Sequence, residues 1–175
     1  MFRGDKNLNV FITQNNLYYL AIHLKLSSLF YSTQLCEIFS YELPSNSNNL
    51  LDKNSKLSIL NNSLVVYNFH SLLSNQRFFI FININNKRNV NKLSLSWNYL
   101  NSITELFLNA NWLEREAAEL NGIFFSNKKD LRNLMLTYGD TSAPLRKSFP
   151  SIGVREVFYD SVTDLLVQEP VSLQF

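Results

Sequence analysis

The sequence predicts an α+β domain, a mainly antiparallel or mixed sheet packed by helices, that runs on into an extended and mostly irregular C-terminal tail. Three observations predict it. Phe78, Ile80, Ile82 and Ile84 alternate with Arg77, Phe79, Phe81 and Asn83, the period-two pattern of a strand. Leu17, Leu20, Ala21, Leu24, Ser28 and Tyr31 recur near 3.6 residues, as do Leu113, Ala117 and Leu120 further on, which is the pattern of amphipathic helices. Beyond Tyr138, the residues Gly139, Pro144, Pro150, Gly153 and Pro170 punctuate the chain too often for long helices.

Taken in order, a first helix covers residues 17–31 and packs on the sheet, with Lys25 on its far side and His23 on its flank. A short strand follows over residues 36–43, stopped by Pro44. Residues 45–56 are polar and turn-rich, a surface loop. Residues 57–71 and 76–85 read as two longer strands joined through Ser74 and Asn75 into a hairpin, the second one central because both its faces are apolar at the start. No βαβ crossover is visible in the pattern. A second helix is expected over residues 97–109, since Leu100, Ile103, Phe107 and Ala110 lie near helical spacing. A third starts with Asn111 as N-cap and Glu114 in capping-box register, and ends at Gly122 in the left-handed conformation. Trp112 and Leu120 are expected to anchor it to the domain. In the tail, residues 154–159 and 165–168 can form a small hairpin. This divides the chain into a compact domain, 1–137, and a tail, 138–175.

Composition narrows the function. A net charge of +2 is small for a dedicated nucleic-acid binder, whose affinity grows with the phosphates it neutralises. The single cysteine, Cys36, and two histidines, His23 and His70, offer neither a disulfide nor zinc or iron–sulfur ligand spacing, so no metal and no cofactor of its own is expected. The N-terminus lacks the apolar core of a secretory signal and the pattern of a transit peptide, and no apolar run is long enough to span a bilayer. Asn, Phe, Ile, Leu and Tyr are abundant while Gly, Pro and Ala are scarce, as an AT-rich genome biases them, organellar or nuclear.

Familiar phosphate loops are absent, with only four glycines in the chain. Glu116 and Glu119 share a helix face and carboxylate pairs can do acid–base work, but a charged surface or interface is the better reading, so no catalytic residue is assigned. Lys128, Lys129 and Arg132, with Arg146, Lys147 and Arg155, suit phosphates or an acidic protein surface, or plain solvation, the commoner outcome. Ordering the tail costs on the order of tens of kcal/mol at about 1 kcal/mol per residue, and Leu145, Phe149, Ile152, Phe158 and Leu166 are expected to recover it on another protein.

The run Glu114, Arg115, Glu116, Glu119, Leu120, Gly122, Ile123 and Phe125, followed by Asp130, Leu131 and Arg132, resembles the signature of the thirty-kilodalton subunit of respiratory complex I, the NADH:ubiquinone oxidoreductase. The resemblance continues through Tyr138 and Gly139, then Pro144, Leu145, Arg146 and Lys147, then Phe149 and Pro150. It closes with Glu156, Val157, Tyr159 and Asp160, and with Glu169 and Pro170. Val66, Tyr67, Asn68, Ser71, Asn75 and Arg77 resemble that family's central hairpin. Asn121, Lys129, Thr137, Ala143 and Ser148 depart from its usual residues. The resemblance implies a cofactor-free structural subunit of the quinone module in the peripheral arm, within a complex that uses NADH, FMN, iron–sulfur clusters and ubiquinone. Its implied partners are the large quinone-site subunit and adjacent cluster-bearing subunits. Its implied place is the matrix side of the mitochondrial inner membrane, often as a mitochondrially encoded chain. The alternative is a mitochondrial ribosomal protein, against which the low charge argues.

Overall fold

The computed structural model describes residues 8–28, 33–43, 62–72, 75–85 and 99–172. Its main sheet has four strands in the order β1-β4-β3-β2, built from β1 (Leu8–Ile12), β2 (Thr33–Glu42), β3 (Asn62–Ser71) and β4 (Gln76–Asn85). The β2–β3 and β3–β4 ladders are antiparallel and β1 joins β4 in parallel, so the sheet is mixed. The β3–β4 hairpin and the limits of β4 follow the sequence reading. β1 does not: five residues of uneven pattern, more of them exposed than covered, carry no clear period. The expected start of β3 at residues 57–61 lies outside the described residues.

Alternation decides which side chains face the core. Val65, Tyr67 and Phe69 of β3 and Phe78, Ile80, Ile82 and Ile84 of β4 point one way and are buried. In β2 the phase switches, with Thr33 and Leu35 buried, then Ile38. A register shift between Leu35 and Glu37 explains it: a bulge at Cys36 adds one residue and moves the inward set by one. Against this face pack Leu17, Ala21 and Leu24 of α1 (Leu17–Leu26), which ends earlier than expected, with Ser27 N–H bonded to the His23 carbonyl.

The helix expected over 97–109 is not formed in its described part. Residues 99–101 are instead strand β5 (Tyr99–Asn101), followed by separate turns. The reason is competition for backbone donors. The Ser102 N–H bonds Ser126 O and the Ile103 N–H bonds the Glu114 carboxylate, so neither is available for a helical ladder. Leu100, Ile103, Phe107 and Ala110 are nonetheless all buried, which is why their spacing imitates a helix. β5 pairs in parallel with β6 (Phe124–Ser126), and α2 (Ala110–Asn121) connects them: a small βαβ unit, contrary to the expectation of none.

Helix α2 covers the free edge of β2. The Asn109 and Asn121 amides donate to Leu35 O at 2.5 Å and Ser40 O at 3.2 Å. From Asn109 to Asn121 a helix rises about 18 Å, and Leu35 to Ser40 spans about 16 Å of strand, so the two run side by side. A strand edge so occupied is closed to other strands. Beyond residue 126 the chain is mostly turns until the ribbon of β7 (Arg155–Asp160) and β8 (Leu165–Pro170), an antiparallel hairpin with its own two-stranded sheet.

Candidate functional site: the joint around α2

The helix is oriented by a stripe of small and polar residues. Ala110, Glu114, Ala117 and Asn121, at i, i+4, i+7 and i+11, are its buried set. This is one step around from the expected stripe: Ala117 is common to both, while Leu113 and Leu120 are only half-buried. Trp112, expected as an anchor, is 63% exposed. The N-cap is Asn109, without a side-chain capping bond, and Glu114 forms no capping box. Two alanines let the helix come close to the sheet, which puts Glu114 in the core.

Glu114 is fully buried and fully engaged. One carboxylate oxygen accepts from the Ser102 hydroxyl at 2.6 Å and the Lys128 ammonium at 3.2 Å, the other from the Ile103 N–H at 2.9 Å. Lys128, with a side chain 1% exposed, also donates to Asn111 O at 2.9 Å. The basic residue read as solvated is therefore an internal partner, and the pair ties the ends of β5, α2 and β6 together. Charge buried this way is tolerated because each group meets an opposite charge and further hydrogen bonds. Beside it, burial first and the Glu114 carboxylate second push the Tyr67 phenol well above its ordinary range. The Tyr67 hydroxyl has no hydrogen-bond partner among the described residues.

The opposite flank of α2 grips the chain that follows β6. Arg115 donates from Nε to Arg132 O at 2.7 Å and from Nη2 to Asn133 O at 2.9 Å, and pairs with Asp130 at 3.6 Å. Asp130 is held well below the usual carboxylate range, chiefly by the Arg132 side chain, which donates two hydrogen bonds at 3.0 Å, and then by the Arg132 N–H. One turn on, Glu119 accepts three successive backbone donors, the N–H groups of Leu134, Met135 and Leu136, at 2.7, 2.5 and 3.2 Å. It is therefore a loop anchor, whereas an acid–base pair with Glu116 would need it free.

The C-terminal end of α2 is closed by Leu145 and Arg146. Gly122 has φ +64°, as expected for a left-handed cap. The three carbonyls at that end are met from outside: Leu120 O by the Leu145 N–H at 2.9 Å, Asn121 O by Arg146 Nε at 2.9 Å and Gly122 O by Arg146 Nη2 at 2.6 Å. A Cβ on residue 122 would stand 2.5 Å from Arg146 Nη2, so any other residue strains the positive φ and must also displace the Arg146 guanidinium. The Lys147 N–H then reaches the Glu42 carboxylate at 2.9 Å.

The structure thus gathers Glu114, Arg115, Glu119, Gly122, Asp130, Arg132, Leu145 and Arg146 around one helix. Glu116, Leu131, Tyr138 and Gly139 lie outside that set of contacts. Tyr159, Glu169 and Pro170 are out on the ribbon, with Pro150 before it; Pro144 and Phe149 are half-buried along the way. Sequence reasoning missed Ser102 and the Asn109 amide, and it named Lys128, Tyr67 and Asn121 without their roles here. One signal was present: a glutamate between two alanines on an i, i+4, i+7 stripe is an acid on the helix's closest face. Asn121, one of the departures, bonds the edge strand.

Among the described residues no three His, Cys, Asp or Glu side chains gather as a metal site, and no helix is long and apolar enough to cross a membrane. A groove of about 630 Å³ lined by Tyr18, Asn101, Ser102, Glu105, Asn127, Lys128 and Lys129 opens beside the Glu114 pair.

Residues 12–155 match the family described as the respiratory-chain NADH dehydrogenase, 30 Kd subunit. The chain is 39% identical over 109 residues to an NADH-quinone oxidoreductase subunit of Ruegeria pomeroyi, covering 62% of this chain and 50% of that one. It is 45% identical over 75 residues to the NADH-ubiquinone oxidoreductase subunit 9 of Acanthamoeba castellanii, covering 43% and 38%. To the mitochondrial NADH dehydrogenase [ubiquinone] iron-sulfur protein 3 of Candida albicans it is 47% identical over 72 residues, covering 41% and 26%. In each case the match spans half or less of the relative's length.

Proposed function

The chain belongs to the family of the 30 Kd subunit of the respiratory-chain NADH dehydrogenase, and on that premise we propose that it is a structural subunit of an NADH:ubiquinone oxidoreductase. Its work is to hold neighbouring subunits of the quinone module in register, with NADH, FMN, iron–sulfur clusters and ubiquinone carried by other chains. The partners are the large quinone-site subunit and adjacent cluster-bearing subunits, at the matrix side of the mitochondrial inner membrane. The domain, 1–137, presents the joint, and the tail, 138–175, carries the partner-binding surface.

One observation carries this reading. The β7–β8 ribbon exposes Val157, Phe158, Tyr159, Val162, Leu165 and Leu166, with Val162 and Leu166 91% and 76% accessible. A two-stranded ribbon is marginal alone in water, and so much apolar surface on one marks a protein contact. The names of the relatives, all NADH oxidoreductase subunits, give the ribosomal alternative no support.

The test is a native gel of detergent-solubilised membranes. The full chain is expected to co-migrate with NADH dehydrogenase activity. Migration with ribosomes, or as a free chain while the activity band lacks it, contradicts the proposal.

A further inference from the structure

Four charged side chains lie on α2, and three have partners in the chain: Glu114 with Lys128, Arg115 with Asp130 and two carbonyls, Glu119 with three N–H groups. The fourth, Glu116, is half-buried, and no hydrogen bond or ion pair joins it to a described residue. One turn before it stands Trp112. Before that comes Leu108, 87% exposed, in the turn whose carbonyl accepts the Asn111 N–H. Glu105, also exposed and also without an ion pair among the described residues, precedes Leu108.

The ridge therefore carries two large apolar side chains flanked by carboxylates, Trp112 and Glu116 on a helix already fixed by its other faces and Leu108 and Glu105 in the turns before it. Ordering it for binding requires little further entropy. We propose that Leu108, Trp112 and Glu116 dock a cation-bearing segment of a neighbouring protein subunit. A guanidinium laid over the indole meets the carboxylate one turn on, so cation–π attraction and a charge-assisted hydrogen bond act together. The free carboxylates disfavour the other occupants. An anionic bilayer or a nucleic acid is repelled, and a second copy of the ridge brings acid against acid. This inference rests on the assembly reading above and adds the chemistry of one partner, on a surface separate from the ribbon.

The experiment uses the full chain in its native assembly. A photo-crosslinking residue replaces Trp112, and Glu116→Lys and Trp112→Ala are compared with wild type. The crosslink is expected on a peptide of another subunit that contains Arg or Lys. Glu116→Lys is expected to lower the chain's share of the high-mass assembly by at least about tenfold, as loss of a central anchor does. Glu116→Gln should fall between it and wild type, and the thermal midpoints of the free variant chains should match wild type. Crosslinks confined to lipid, nucleic acid or the chain itself overturn the inference, as does assembly of both Glu116→Lys and Trp112→Ala at wild-type levels. Wild type absent from the high-mass band overturns the assembly reading, and this inference with it; wild type present with indifferent variants overturns the ridge alone.

Discussion

The chain after β6 behaves in two ways. From residue 128 to 147 it is irregular in backbone yet tied to α2 or β2 at residues 128, 132–136 and 145–147, through Glu114, Arg115, Glu119, Gly122, Arg146 and Glu42. From residue 155 to 170 it has regular ladder hydrogen bonds, yet its apolar side chains are in the open. Regular secondary structure and attachment to the core are separate properties here. The first stretch is held by side chains acting on backbone; the second holds its own backbone while its apolar side chains stay exposed.

The largest break in this contrast comes from the buried pair. Glu114→Ala or Lys128→Met leaves an uncompensated buried charge and is expected to destabilise the chain by about 3–5 kcal/mol, read from urea or thermal unfolding. Replacing both together with apolar residues should recover much of that loss. Next is Glu119→Ala, which strips the acceptor from three N–H groups and should cost about 1–3 kcal/mol. Its distinguishing sign is faster proteolytic cleavage within 131–137 than elsewhere. Gly122→Ala follows, at about 1–2 kcal/mol for a strained left-handed alanine that also displaces Arg146. Smallest for the chain alone is Leu166→Ser on the ribbon, expected within about 0.5 kcal/mol of wild type, while its incorporation into the high-mass assembly falls sharply. A large loss of chain stability from Leu166→Ser would erase the distinction between the two stretches.

Alkaline pH probes the buried end of the joint. The unfolded chain releases the Tyr67 proton near the ordinary 10.0 and the folded chain keeps it to higher pH. Stability is thus complete below about pH 10 and declines as pH rises above it. Tyr67→Phe should flatten that decline relative to wild type and leave stability at neutral pH equal or greater, since the hydroxyl it removes has no described partner.

Much of the fold is legible from residues alone. The alternation in β4, the apolar face of α1 and the left-handed Gly122 are local signals with one physical meaning each. The failures share a cause, which is that long-range partners override local pattern. Residues 99–109 look helical by spacing, but β6 and Glu114 take the N–H groups of Ser102 and Ile103. Trp112 looks like core by its chemistry, but two alanines and an asparagine provide a closer fit to the sheet. The joint was legible only in part: the signature residues gathered at α2 are marked in the sequence, whereas Ser102, the Asn109 amide and the inward turn of Lys128 are not. Resemblance to a family signature marks the former, whereas which acid turns inward and which grips the chain after β6 depends on residues 11 to 17 positions away.

Amide hydrogen exchange on the full chain, alone and in its assembly, tests the division most directly. The amides of Leu134, Met135, Leu136 and Leu145 are expected to be protected in the free chain, bonded as they are to Glu119 and to α2. The amides of β7 and β8 should exchange quickly in the free chain and slowly in the assembly. Full protection of the ribbon in the free chain, or no gain of protection on assembly, would contradict the division.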